Sequence, residues 1–185
     1  TDFKLDLIAQ MFNPDSLIRE SSAEALFAIA PAEYALHAKR LGDYQRRELD
    51  ELIIHKRRMT CFEKVRFFQD LQIFESIPGI ILSYLADLSE ELRLKATESL
   101  VLDERANNNF YLMIAGSVQF FQHGELAGEF GTGQFIGEML SSPNFVNTNL
   151  IVARTDVSIL RFNKDQFYEL LSDNVKLADK VIAFI

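Results

Sequence analysis

Positive charge is what this chain lacks most. From Ala106 to Ala153 there are 48 residues without a Lys or Arg. Tryptophan is absent and cysteine occurs once, at Cys61. A single cysteine excludes an internal disulfide and points to a reducing compartment, so a cytoplasmic location is expected. Cys61 lies in a helical apolar pattern between Thr60 and Phe62, which reads as a small buried side chain. No N-terminal apolar stretch resembles a signal peptide, and no run of about 20 apolar residues could form a membrane span. The chain begins at Thr1 rather than Met, which suggests a piece of a longer protein.

The net charge is −8, unevenly spread. Residues 1–72 hold 11 basic and 12 acidic side chains, and residues 73–185 hold 8 and 15. Nucleic-acid partners need a basic face, so they are not expected. The one basic cluster, His55-Lys56-Arg57-Arg58, follows Glu48, Asp50 and Glu51 and reads as a solvated helix face. A metal site would need converging His and carboxylates. Only His123 lies in the strand-rich part, so neither a metal nor another cofactor is expected. Nucleophilic catalysis by Cys or Ser with His has no supporting constellation either. The chain reads as a non-enzyme.

What is present is core material. Hydrophobic residues make up 48% of the chain, and 16 residues are Phe. Residues 3–72 read as helices. Phe3, Leu5, Leu7, Ile8, Met11 and Phe12 form an apolar-rich first helix, broken at Asn13-Pro14-Asp15. A second helix, about Ser16–Ala30, sets Ile18, Ser22, Ala25, Leu26 and Ile29 on one stripe. Glu20 and Glu24 are expected to face outward. Pro31 starts a third helix, with Leu36 and Leu41 inward and Gly42 as its stop. Leu49, Leu52 and Ile53 group on the next helix, where Arg46–Asp50 has i,i+4 spacing. Phe62, Val65 and Phe67 or Phe68 group on the one after.

The run Asn13-Pro14-Asp15 through Arg19-Glu20-Ser21-Ser22-Ala23-Glu24-Ala25-Leu26 resembles the turn and second helix of a HEAT repeat. Such repeats stack into solenoid scaffolds. Only one copy is visible, so it is either the capping repeat of a longer array or an ordinary helical hairpin. The resemblance implies a protein partner, or the rest of a longer chain, docked on these helices.

After residue 73 the pattern changes. Ile80–Asp87 is helical, and from Leu92 to Phe162 short apolar runs alternate with turns. Strands are expected at Leu100–Leu102, Phe110–Ala115, Val118–Gln122, Leu126–Phe130, Leu150–Ala153 and Val157–Phe162. The turns between them are Asn107-Asn108-Asn109, His123-Gly124-Glu125 and Gly131-Thr132-Gly133. Asn163-Lys164-Asp165 caps a final helix, and Val175–Ile185 continues it. The expected fold class is α+β: a HEAT-like helical segment (1–72), then an antiparallel β-roll or jelly-roll barrel with flanking helices (73–185).

The order of elements in 73–185 resembles the cyclic-nucleotide-binding-domain family. Phe74-Glu75-Ser76-Ile77-Pro78 resembles the family's opening turn. Phe110 through Val118 resembles its strand–Gly–strand signature. Gly131-Thr132-Gly133-Gln134-Phe135-Ile136-Gly137-Glu138-Met139 resembles its phosphate-binding cassette, and Ala153-Arg154-Thr155-Asp156 the strand end after it. The resemblance implies a ligand pocket at Phe135, Ile136, Gly137, Glu138, Met139, Asn147 and Thr148. Gly137 would bring the backbone close to a phosphate, and Glu138 would accept from a ribose hydroxyl.

The family's phosphate-pairing Arg falls on Asn147, nine residues after Glu138. Asn can donate a neutral hydrogen bond but cannot neutralise a phosphate. Losing a charged hydrogen bond of about 1.5–3 kcal/mol weakens binding roughly ten- to a hundredfold. Glu125, Glu129 and Glu138 are the only charges between 106 and 153. The expectation is a regulatory, sensory or interaction module impaired in ordinary cyclic AMP or GMP binding. The alternative is a weak sensor, as the cytosolic tail of a bacterial transporter. A cyclic nucleotide or other small ligand, and a second copy in a homodimer, complete the expected partners.

Overall fold

The computed structural model describes residues 3–54, 58–102, 108–137 and 149–184. Two compact units emerge, one from Thr1–Asp70 with Glu75–Asp87, the other from Leu71–Phe74 with Leu88–Ile185. The last helix before the strands, cut into the β-rich segment by a boundary at 72/73, thus packs in the helical unit.

The helical unit runs α1 (Phe3–Gln10), α2 (Ser16–Ile29), α3 (Pro31–Ala38), α4 (Asp43–Leu49), α5 (Cys61–Gln69) and α6 (Gly79–Asp87). A π-helical turn, Asp50–Ile54, continues α4. Asp15 caps α2 through Ile18 N–H, and Pro31 opens α3. Thr60 and Glu63 form a reciprocal capping box on α5, which satisfies backbone donors that a helix start leaves open. Leu7, Met11, Ala23, Leu26, Tyr34, Ala38, Leu49 and Ile53 make the core.

Several sequence expectations are corrected here. Leu36 is 59% exposed, because Tyr34 and Ala38, one turn apart, are the residues α3 buries. Ile18 and Ile29 lie outside the α2 core stripe, which instead follows Glu20, Ala23 and Leu26 at three-residue spacing. Phe62 is also partly exposed, while Val65 and Phe68 turn inward. Gly42 is not the stop of α3 but the residue before α4, with Lys39 ending α3. Glu20 is buried rather than outward, and accepts the Cys61 backbone N–H at the start of α5. Burial pushes its carboxyl up to about 7, with Glu48 and Asp87 adding to the rise against the Cys61 hydrogen bond and Arg19. Cys61 is buried, and its thiol is pushed up to about 12, first by burial and then by Asp87.

The second unit is α+β. Its strands are β1 (Ser89–Leu94), β2 (Ser99–Leu102), β3 (Asn109–Ala115), β4 (Ser117–Gln122), β5 (Glu125–Gly131), β6 (Phe135–Ile136), β7 (Asn149–Ala153) and β8 (Val157–Asn163). Helices α7 (Lys164–Asp173) and α8 (Val175–Phe184) follow, and Gln72–Phe74 adds a 3-10 turn. All strand pairs are antiparallel, in two sheets ordered β1-β8-β3-β6 and β2-β7-β4-β5.

The two orders match strand for strand, because each strand crosses to its sequence neighbour in the other sheet. These crossings lie at one end. There Thr97 N–H reaches Ala153 O at 2.8 Å, Arg154 N–H reaches Ser117 O at 2.9 Å, and Ser117 pairs with Gly131. Gly116 makes the β3–β4 crossing at φ 84°; a Cβ there would meet Val157 Cγ1 at 2.6 Å and Thr155 Oγ1 at 2.7 Å. Only glycine fits both the dihedral and the space.

Between the sheets lie Leu102, Val118, Ile151 and Ala153 from one and Tyr111, Met113, Ile136, Val157 and Ile159 from the other. The first sheet is buried on its outer face as well. Phe110 stacks on Phe162 (4.9 Å between centroids) and meets Phe167 of α7 edge-on (4.8 Å). A strand buried on both faces reads as an unbroken apolar run, which is why Phe110–Ala115 does not alternate.

Candidate functional site

The cassette-like segment begins as a turn and then becomes a strand. Gln134 N–H closes the turn onto Gly131 O (3.1 Å), and the Gln134 side-chain oxygen accepts Gly131 N–H (2.7 Å). Gly133, at φ 83°, donates to Met113 O (2.8 Å). Met113 N–H in turn donates to Gln134 O (3.0 Å), which ties the turn to β3. Phe135 and Ile136 then pair with Leu112 and Tyr111 as β6. The resemblance put these two in the phosphate-binding cassette, and the backbone pairing makes them strand.

Their side chains serve packing. Ile136 is fully buried between the sheets. Phe135 is half-buried against Phe74 (6.4 Å), Phe110 (6.3 Å) and Phe184 of α8 (6.0 Å). Gly137 follows at φ 92° and is exposed. A Cβ at Gly137 would come no nearer than 3.5 Å to Asn109 O, so the dihedral rather than space is what calls for glycine. Glu138, Met139, Asn147 and Thr148 lie outside the described residues, as do Arg105 and Asn107.

Pairing and alternation map the side chains that face the interior between the sheets. At the end away from the crossings, Leu102, Asn149, Gln122 and Glu125 are cross-strand neighbours in one sheet, with Gln122 and Glu125 exposed. In the facing sheet Glu90, Arg161, Tyr111 and Ile136 are neighbours, Tyr111 and Ile136 buried and the Arg161–Glu90 pair exposed to solvent. One step deeper come Leu100, Ile151, Phe120 and Gly128, facing Leu92, Ile159 and Met113.

Charge here is sparse. Arg161 is ion-paired with Glu90. Glu129 faces the other side, where Gln119 donates to it at 2.8 Å. Arg154 is exposed, one residue beyond β7 and past the inward-facing Ala153. Asn149 Oδ1 is buried without a hydrogen-bond partner. Sequence reading did not single out Arg161, because only strand register makes it the neighbour of Tyr111 and Glu90. Among the described residues, no group of three or more His, Cys, Asp or Glu is arranged to hold a metal ion.

Comparison with known proteins agrees with this architecture. A cAMP-dependent protein kinase regulatory subunit of Neurospora crassa is 26% identical over 128 residues, covering 68% of this chain and 32% of that protein. The chain thus spans about a third of that relative's length. The sensor domain of the transcriptional regulator DNR from Pseudomonas aeruginosa has a TM-score of 0.54 at 22% identity, covering 64% of this chain and 88% of that one. The regulatory subunit of a cAMP-independent protein kinase A from Trypanosoma brucei has a TM-score of 0.53 at 19% identity, covering 73% and 52%. Residues 91–174 match the sequence model of the cyclic nucleotide-binding domain, and the strand-rich unit has that domain's fold.

Proposed function

We propose that this chain is a non-enzymatic regulatory or sensory module, located in the cytoplasm, whose cyclic-nucleotide-binding-like unit is impaired in ordinary cyclic AMP or GMP binding. The carrying observation is the stretch from Ala106 to Ala153, which holds no Lys or Arg and puts Asn147 where the resemblance places the phosphate-pairing Arg. Arg161 and Arg154 do not fill the gap: one is paired with Glu90 and the other is exposed beyond β7. A relative of similar fold is itself described as cAMP-independent, so loss of this response is compatible with the architecture. The HEAT-like helices 1–72 are the docking surface for a protein partner or for the rest of a longer chain.

A weak cyclic-nucleotide sensor is the second reading. The left-handed dihedral at Gly137 favours it, since it keeps the backbone turn that the resemblance assigns to phosphate approach.

The test is a thermal-shift titration with cyclic AMP and cyclic GMP up to millimolar, on the wild-type chain and on Asn147→Arg. Ligand at 100 times its dissociation constant adds about 2.7 kcal/mol, a shift of several degrees. The proposed module gives no shift as wild type and gains one with the new cation. A saturable wild-type shift that Glu138→Ala abolishes would replace it with the weak-sensor reading.

A further inference from the structure

Glu20 is buried in the helical unit and accepts the Cys61 backbone N–H, the first of α5. Thr60 and Glu63 satisfy neighbouring donors of that helix start, so Glu20 completes the cap from another helix. One turn earlier on α2, Ser16 Oγ donates to Asp87 Oδ1 at 2.5 Å. Ser16 and Glu20, at i,i+4 spacing, thus tie α2 to the last residue of α6 and to the first of α5. Lys64 Nζ donates to Ala86 O (3.3 Å), which joins α5 to the end of α6. Charge around Glu20 is mostly negative, with Glu48 acting on it from α4 and Asp87 from α6. Arg19 offsets this only in part, because its guanidinium donates to Asn13 O (3.1 Å) and Pro14 O (3.0 Å). Asp50 of the π-helical turn is engaged by Tyr34 and Arg46, and Glu63 by the α5 cap. Lys4 and Asp6 of α1 and Glu33 of α3 are exposed. A protonated Glu20 suits this setting, whereas an ionised one is a buried charge beside two others of its own sign.

We propose that this junction is a proton-operated latch: α5 and α6 dock on α2 while Glu20 carries a proton, and the start of α5 lets go of α2 once Glu20 ionises. Letting go hydrates the carboxylate and relieves its repulsion with Glu48 and Asp87. The direction follows from the folded carboxyl, which burial first of all pushes up to about 7 from an ordinary 4.5. The latch is fully closed below the ordinary value and weakens as pH rises through the folded one. Only Leu88 separates α6 from β1, so the pair that moves includes the helix leading into the strand-rich unit. The latch needs no ligand, and it stands whether or not that unit binds a cyclic nucleotide.

Cys61, the only cysteine of the chain, is buried at the moving end and reports the opening. Its reaction with a dipyridyl disulfide is timed on the full chain from pH 5 to pH 8. Dividing the rate of the urea-unfolded chain at the same pH by that rate gives a protection factor free of the thiol's own titration. The expected protection falls by up to about tenfold per pH unit between pH 5 and pH 7 and then levels off, as one proton released on opening requires. Glu20→Gln keeps the acceptor and shows no such fall. Amide protection falls in parallel in α5 and α6 and holds in α1 and α3. Glu48→Gln, which touches neither hydrogen bond, removes a repelling charge and moves the level part to lower pH. The same profile in Glu20→Gln as in wild type overturns the latch. If Glu20→Gln does not fold, a Glu48→Gln profile that stays in place overturns it instead. Amide protection lost evenly from α1 to α6 overturns it too, because Glu20 then sets the stability of the whole unit and gates no part of it.

Discussion

The buried carboxylate of Glu20 in α2 accepts the backbone N–H of Cys61, the first residue of α5. Two helices 41 positions apart in sequence are thereby joined through an ionisable group. Its folded value of about 7 lies above the ordinary carboxylate value of 4.5. Between those values the folded unit keeps a proton that the unfolded chain has released. Stability from this group is therefore full below pH 4.5 and is lost as pH rises through 7. The integrated difference is roughly 3 kcal/mol. Glu20→Gln keeps an acceptor and removes the titration. The difference in melting temperature between wild type and Glu20→Gln, followed by circular dichroism, should favour the variant increasingly from pH 5 to pH 8.

Two left-handed glycines of the strand-rich unit, Gly116 and Gly137, should differ in what they tolerate. Gly116→Ala meets both the dihedral penalty and atoms of Thr155 and Val157, and should cost about 3 kcal/mol or more. Gly137→Ala meets only the dihedral and should cost about 1–2 kcal/mol. Urea denaturation of both variants checks the order.

Phe135 connects the short strand β6 to α8 through Phe184, and to Phe74 and Phe110. Phe135→Ala removes three ring contacts from a half-buried position and should cost about 2 kcal/mol or more. Backbone amides of Val175–Phe184 should exchange faster by a larger factor than those of β8. Uniform acceleration would mean that the ring supports the whole unit rather than the last helix.

Arg161 is held by Glu90. Glu90→Gln releases that cation beside the interior row and should let Asn147→Arg bind cyclic AMP several-fold more tightly in the double variant than alone. Calorimetry on both variants reads this directly. Equal affinities would place Arg161 out of reach of the phosphate.

Much of this architecture is legible in the sequence, and the reasons are local. Asn163 has the chemistry of a helix cap and serves as one. His123-Gly124 turns the β4–β5 hairpin with both residues in the left-handed region. Short apolar runs between such turns could only be strands. What stayed hidden depends on partners distant in sequence. Glu20 looks solvated on a helical wheel, and is buried only because α5 starts against it. Leu36 looks like core, yet Tyr34 and Ala38 take that side of α3. Phe135 and Ile136 look like loop beside Gly133 and Gly137, until β3 supplies their pairing. Arg161 acquires its neighbours Tyr111 and Glu90 only from register.

The matched order of the two sheets separates what builds this unit from what lets it recognise anything. Closure rests on Gly116, Thr155 and the turns at Thr97 and Gly131, all at one end. Gly137, which the resemblance ties to phosphate approach, follows β6 at the opposite end. A lineage can therefore erase or rewrite its signal while inheriting the same scaffold intact. Exchange of the segments after Leu102 and Ile136 with those of a responsive relative becomes a way to transplant a sense without redesigning the body that carries it.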